Sequence, residues 1–61
     1  MTQKELLYLE DAISHEQIII DELNCLAEEL DLDVYKNFIT GELDIHFHLL
    51  NRLIELLEEE C

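Results

Sequence analysis

The sequence predicts an all-α protein: an antiparallel two-helix hairpin that dimerises into a four-helix bundle. Apolar residues recur at three-and-four spacing over nearly the whole chain, the signature of amphipathic helices. One Gly and no Pro leave little of the turn chemistry that a multi-stranded sheet requires. Hydrophobic residues also make up 49% of only 61 residues, so the apolar stripes are wider than a single helix–helix seam can cover.

The first helix is expected over about residues 3–30, where Leu6, Leu9, Ala12/Ile13, Ile19/Ile20, Leu23, Leu26/Ala27 and Leu30 keep the spacing for about seven turns. The Asp-Leu-Asp sequence at 31–33 interrupts it and marks the turn. Asp31 or Asp33 can accept hydrogen bonds from the free amides that open the next helix, and either carboxylate opposes the dipole there. The second helix is expected over about 34–59, with Tyr35, Phe38/Ile39, Leu43, Leu49/Leu50, Leu53 and Leu56/Leu57 in the repeat. Gly41 costs a helix interior about 1 kcal/mol relative to Ala. It marks a bend, a break giving three helices, a close approach by a partner's backbone, or a position that simply faces water.

A short connection between two helices each ~40 Å long forces them antiparallel. So small a chain buries only ~60% of the surface its unfolded form exposes, and pairing two hairpins is the usual way to gain a core. The expected interface core is Leu9, Ile13, Ile20 and Leu23 from the first helix with Leu43, Leu50, Leu53 and Leu57 from the second.

Sixteen acidic residues against three basic ones give a formal charge of -13, which repels phosphate backbones and anionic lipid surfaces. Direct nucleic-acid and membrane binding are therefore not expected. The residues from Met1 to Glu5 resemble no signal peptide, so a cytoplasmic protein is the simplest expectation. Cys25 and Cys61 would lie roughly 30 Å apart in a hairpin, too far for a disulfide, and match no zinc motif. No nucleophile–base pair, phosphate-cradling loop or dinucleotide fingerprint is legible, and the expectation is a protein that is not an enzyme and carries no cofactor.

Two polar residues interrupt the stripes. Glu16 fills the missing position of the first helix's seam, and His46 fills a core position of the second, whereas His48 points nearly opposite. Counted from the turn, Glu16 lies about as far back as His46 lies forward, within roughly one helical turn in height. A carboxylate on an apolar stripe needs a partner, and an imidazole at the same level supplies one. The alternative is a metal site: in a two-fold dimer two copies each of Glu16 and His46 would converge, a donor set that zinc or iron accepts. His15 and Glu42 are candidates for supporting positions around that pair, or ordinary rim residues.

The stretch from Leu9 to Glu16, followed by a turn and a histidine in the next helix, resembles half of a ferritin-like bundle. Such halves occur in spore-coat-associated proteins and encapsulated ferritins, whose hairpins pair to rebuild four helices. The resemblance implies Glu16 as the ligand from the first helix and His46 as the histidine of the second helix's Glu-x-x-His. The glutamate of that motif falls on Leu43, which removes one ligand per chain. Thr40-Gly41-Glu42-Leu43-Asp44 is also similar to the Ser-x-x-x-Asp signature of small sporulation-control phosphatases, helical hairpins that act on aspartyl-phosphate response regulators. Thr stands for Ser, and Asp44 would be the functional residue.

The remaining carboxylates fall on outward positions, among them Glu28, Glu29, Asp44, Glu55, Glu58 and Glu59, with almost no compensating Lys or Arg. A rigid rod of carboxylates competes for a basic groove that otherwise holds nucleic acid, or docks on a positively charged protein surface. The functional expectation is thus a non-catalytic acidic homodimer that binds a partner protein and inhibits it by occluding a basic or nucleic-acid-binding surface. A ferritin-like metal-binding half-bundle and a response-regulator phosphatase are the alternatives.

Overall fold

The computed structural model describes residues 1–30 and 33–60, which form two helices, α1 (Gln3–Glu29) and α2 (Asp33–Glu60), with no strand among the described residues. α1 opens on a reciprocal cap. Thr2 is extended, its hydroxyl accepts from the Glu5 amide at 3.1 Å, and the Glu5 carboxylate accepts from the Thr2 amide at 2.9 Å. Two of the donors that every helix start leaves orphaned are thereby satisfied. The helix stops where Leu30 turns extended after its amide donates to the Leu26 carbonyl at 3.1 Å.

The helix limits differ by one residue from the expected ones: α1 ends at Glu29 rather than 30, and α2 covers Asp33 and Glu60 as well as 34–59. Asp33 is thus not part of the turn; it lies in the first turn of α2, where its carboxylate faces the positive end of the helix dipole. The expected turn residues Asp31 and Leu32, and with them Asp31's capping role, lie outside the described residues, as does Cys61. α2 runs unbroken through Gly41, so the three-helix alternative does not hold. The glycine is exposed, and a Cβ built on it would meet no neighbour within 4 Å. Next to it, the Thr40 hydroxyl donates to the Lys36 carbonyl at 2.9 Å, a local bond that satisfies the side chain within the helix.

The helices pack side by side and antiparallel into a rod of 46 × 14 × 11 Å. Its radius of gyration, 14.3 Å, exceeds the roughly 10.5 Å of a compact chain of this length. Two ties hold one register: His46 meets Glu16 near mid-length, and the Met1 ammonium meets the Glu60 carboxylate at 3.3 Å at the open end. Leu9, Ile20 and Ile39 are the buried hydrophobic residues, at 5–7% exposure. Ile13, Leu23, Leu43, Leu50, Leu53 and Leu57 are only half-buried, because two cylinders touch along one line and a single chain offers no third surface.

Candidate functional site

The central feature is the pair between α1 and α2. With the carboxylate ionised, His46 Nδ1 donates to Glu16 Oε2 at 2.6 Å, a short charge-assisted geometry. The Glu16 side chain is 12% exposed and that of His46 24%. Both residues lie at the midpoints of their helices, so equal numbers of turns extend on either side. The bond engages Nδ1 and leaves Nε2 as the other ring nitrogen. A carboxylate on one nitrogen and a free second nitrogen is the arrangement found around metal-bound histidines, where the carboxylate orients the ring from outside. In this conformation Glu16 serves the imidazole. Among the described residues no group of three or more His, Cys, Asp or Glu side chains is arranged to hold a metal ion.

His15 and His48 are exposed, and neither makes a side-chain hydrogen bond to the pair. Glu42, one turn before His46, is half-buried beside it. The expected acidic surface, Glu28, Glu29, Asp44, Glu55, Glu58 and Glu59, is exposed throughout. Those six carboxylates spread over both helices and most of the rod, and the ion pairs among the described residues are those of His46 with Glu16 and of Met1 with Glu60. At the start of α1, hydrogen bonds from Thr2 hold the Glu5 carboxyl below its ordinary pKa, the backbone amide contributing most.

A second feature is apolar. Tyr8, Leu26, Phe38, Ile45, Leu49 and Leu56 are 42–65% exposed although they are large hydrophobic side chains. At about 100° per residue, Tyr8 and Leu26 fall on one flank of the α1 seam, and Phe38, Ile45, Leu49 and Leu56 fall on one flank of the α2 seam. Because both helices are right-handed and run antiparallel, the two flanks lie on the same side of the hairpin. The opposite flank of α1 carries Glu10, Gln17, Asn24 and Glu28 instead. The hairpin therefore has one broad apolar face and an opposite face that is polar along α1 but carries the exposed Phe47 on α2, and no helix among the described residues is long and apolar enough to cross a membrane. Sequence periodicity shows a wide stripe on each helix, but the convergence of both stripes on one side follows only from the antiparallel packing.

In comparisons with known proteins, the chain matches no family model, no curated protein and no solved structure.

Proposed function

We propose that this chain is a non-catalytic binding protein. Two hairpins pair through their apolar faces, and the resulting acidic rod docks on a partner protein, occluding a basic surface that otherwise receives nucleic acid. One observation carries the docking role: Glu28, Glu29, Asp44, Glu55, Glu58 and Glu59 are all exposed on a rod 46 Å long, in a chain of formal charge -13. Such a surface steers toward positive partners quickly and in a salt-sensitive way. The test is capture of the partner on immobilised protein, followed by elution with a salt gradient and separately with duplex DNA or RNA. The reading expects release by both. A partner whose affinity ignores ionic strength and that nucleic acid cannot displace overturns it.

A second reading, a ferritin-like half-bundle, is favoured by the Glu16–His46 geometry, with His46 Nε2 from two copies as the donors and iron or zinc as the metal. Elemental analysis of protein purified without chelator, together with melting in added zinc and iron, tests it. Absence of stoichiometric metal and an unmoved melting temperature leave the pair purely structural. Asp44 is exposed, as a role at a receiver domain's phosphoaspartate needs, but every other surface carboxylate meets that requirement as well.

A further inference from the structure

We infer that the apolar face also seats a basic amphipathic helix of the partner protein, its apolar side laid in the groove between α1 and α2 and its Lys or Arg side chains against Glu22, Glu29, Glu42 and Glu59. The inference rests on the partner-binding reading above and adds what that partner must present. The incoming helix takes the place of the second copy.

The face has the length and shape of a helix seat. Eighteen residues separate Tyr8 from Leu26, and eighteen separate Phe38 from Leu56, so the apolar stretch is ~27 Å long on both helices. Glu16 and His46, which meet, lie within these two stretches, so the stretches run side by side. A groove of this length between two antiparallel helices is covered by one further helix of about five turns, which touches both flanks at once.

Charge decides which helix fits. Residues seven apart share one line of a helix. On α2 the line of Phe38 and Ile45 continues into Arg52 and Glu59, and the line of Leu49 and Leu56 is preceded by Glu42. On α1 the line of Tyr8 continues through His15 into Glu22 and Glu29. None of these four carboxylates forms an ion pair among the described residues. The basic side chains near the face are Arg52, exposed beside a shallow groove with Leu53, Leu56 and Glu59, and Lys4, which lies over the Tyr8 ring at 5.9 Å. Lys36 sits seven residues before Leu43, on the seam line rather than on the flank.

A second copy covers the face with apolar side chains but adds its own four carboxylates, within a chain of formal charge -13. Like charges set together across an interface act against that occupant. A helix with apolar residues on one side and Lys or Arg along its edges covers the same apolar side chains and gives the four carboxylates partners. The long stems of those basic residues pack along apolar surface as well.

Fluorescence anisotropy of a labelled probe, titrated with the full chain, tests the inference. The probe is a leucine–lysine peptide of about 18 residues with leucine at three-and-four spacing. One control peptide has the same composition in scrambled order, and another has glutamate in place of lysine. At physiological ionic strength the amphipathic basic peptide is expected to bind at least about tenfold more tightly than either control. Ile45→Ser/Leu49→Ser is expected to weaken binding about tenfold relative to Leu7→Ser/Ile18→Ser, which removes likewise exposed apolar residues off the face. Glu22→Gln/Glu42→Gln is expected to weaken it about threefold relative to Glu28→Gln/Glu58→Gln, which lie off the face. Unchanged circular dichroism of each variant shows that the helices persist, and sedimentation equilibrium is expected to find one chain per peptide. A scrambled peptide that binds as tightly, or face variants that match their controls, means that the acidic surface as a whole attracts the peptide; that overturns the apolar seat and leaves the basic partner standing. A glutamate peptide that binds as tightly, or a complex that retains two chains, overturns the preference for a basic helix over a second copy. If neither basic peptide binds, the reading of a basic partner falls with the inference.

Discussion

His46 Nδ1 and Glu16 Oε2 lie 2.6 Å apart across the hairpin, thirty residues apart in sequence, between side chains that are largely but not fully covered. Removing one partner from such a bond leaves the other polar group without its acceptor or donor. Replacing both partners by shape-filling apolar groups instead removes the cost of keeping polar groups on a greasy stripe. Glu16→Ala should therefore destabilise the protein by about 1.5–3 kcal/mol, and the double variant Glu16→Leu/His46→Leu should be neutral or stabilising. Urea denaturation at one fixed protein concentration measures both. A loss for Glu16→Ala within ~0.5 kcal/mol, the range of ordinary surface changes, would mean that the bond contributes nothing to stability.

Gly41 offers the reverse case. It sits in the middle of a continuous helix, has ordinary helical backbone, and leaves empty space where a Cβ would stand. Gly41→Ala should stabilise by about 0.5–1 kcal/mol through a less entropic unfolded chain and better helix propensity. Thermal melting checks this. A drop in melting temperature would show that something outside the single hairpin approaches that backbone closely.

Much of the fold was legible in the sequence because a two-helix hairpin depends on little besides period and interruption. The stripe positions located both helices to within one residue, and equal distances from the turn placed Glu16 level with His46. Ile39 proved more buried than Leu43 or Leu50, which periodicity does not distinguish, since all lie on one seam and only packing decides which of them meets α1 squarely. Thr2 and Glu5 stood in the Ser/Thr-x-x-Glu pattern of a capping box, a readable signal that an argument built on apolar spacing passes over. The sidedness of the hairpin was not readable, because each stripe's flank has a side only after the second helix is laid antiparallel against the first.

The capping box carries a pH dependence. In the folded chain, hydrogen bonds from Thr2 hold the Glu5 carboxyl below its ordinary pKa. A carboxylate lowered on folding contributes stability that is present above the unfolded value and lost as pH falls through the folded one. The start of α1 should therefore fray in the acidic range just below the ordinary glutamate value, and Glu5→Gln should remove that step. NMR titration of the Glu5 side chain in wild type and in Thr2→Ala checks the cause. Thr2→Ala removes the hydroxyl but keeps the backbone amide, the larger cause, so the titration midpoint should rise only part of the way toward the ordinary value, and an unmoved midpoint would assign the lowering to the amide alone.

Salt acts on the proposed dimer through two opposed effects whose balance can be weighed. Pairing two chains of formal charge -13 brings many like charges within or near a Debye length of ~8–10 Å at physiological ionic strength, so added salt relieves repulsion. Any ion pair between the copies is attractive and weakens with salt, but each chain supplies only three basic residues against sixteen acidic ones. Screening of the excess wins, and the dimer dissociation constant should fall as sodium chloride rises from 20 to 500 mM, while complexes with a basic partner loosen over the same range. Sedimentation equilibrium of the free protein and calorimetry of the partner complex read the two slopes independently. A dimer that loosens with salt would mean that a few close ion pairs at its interface outweigh the repulsion between the two acidic surfaces.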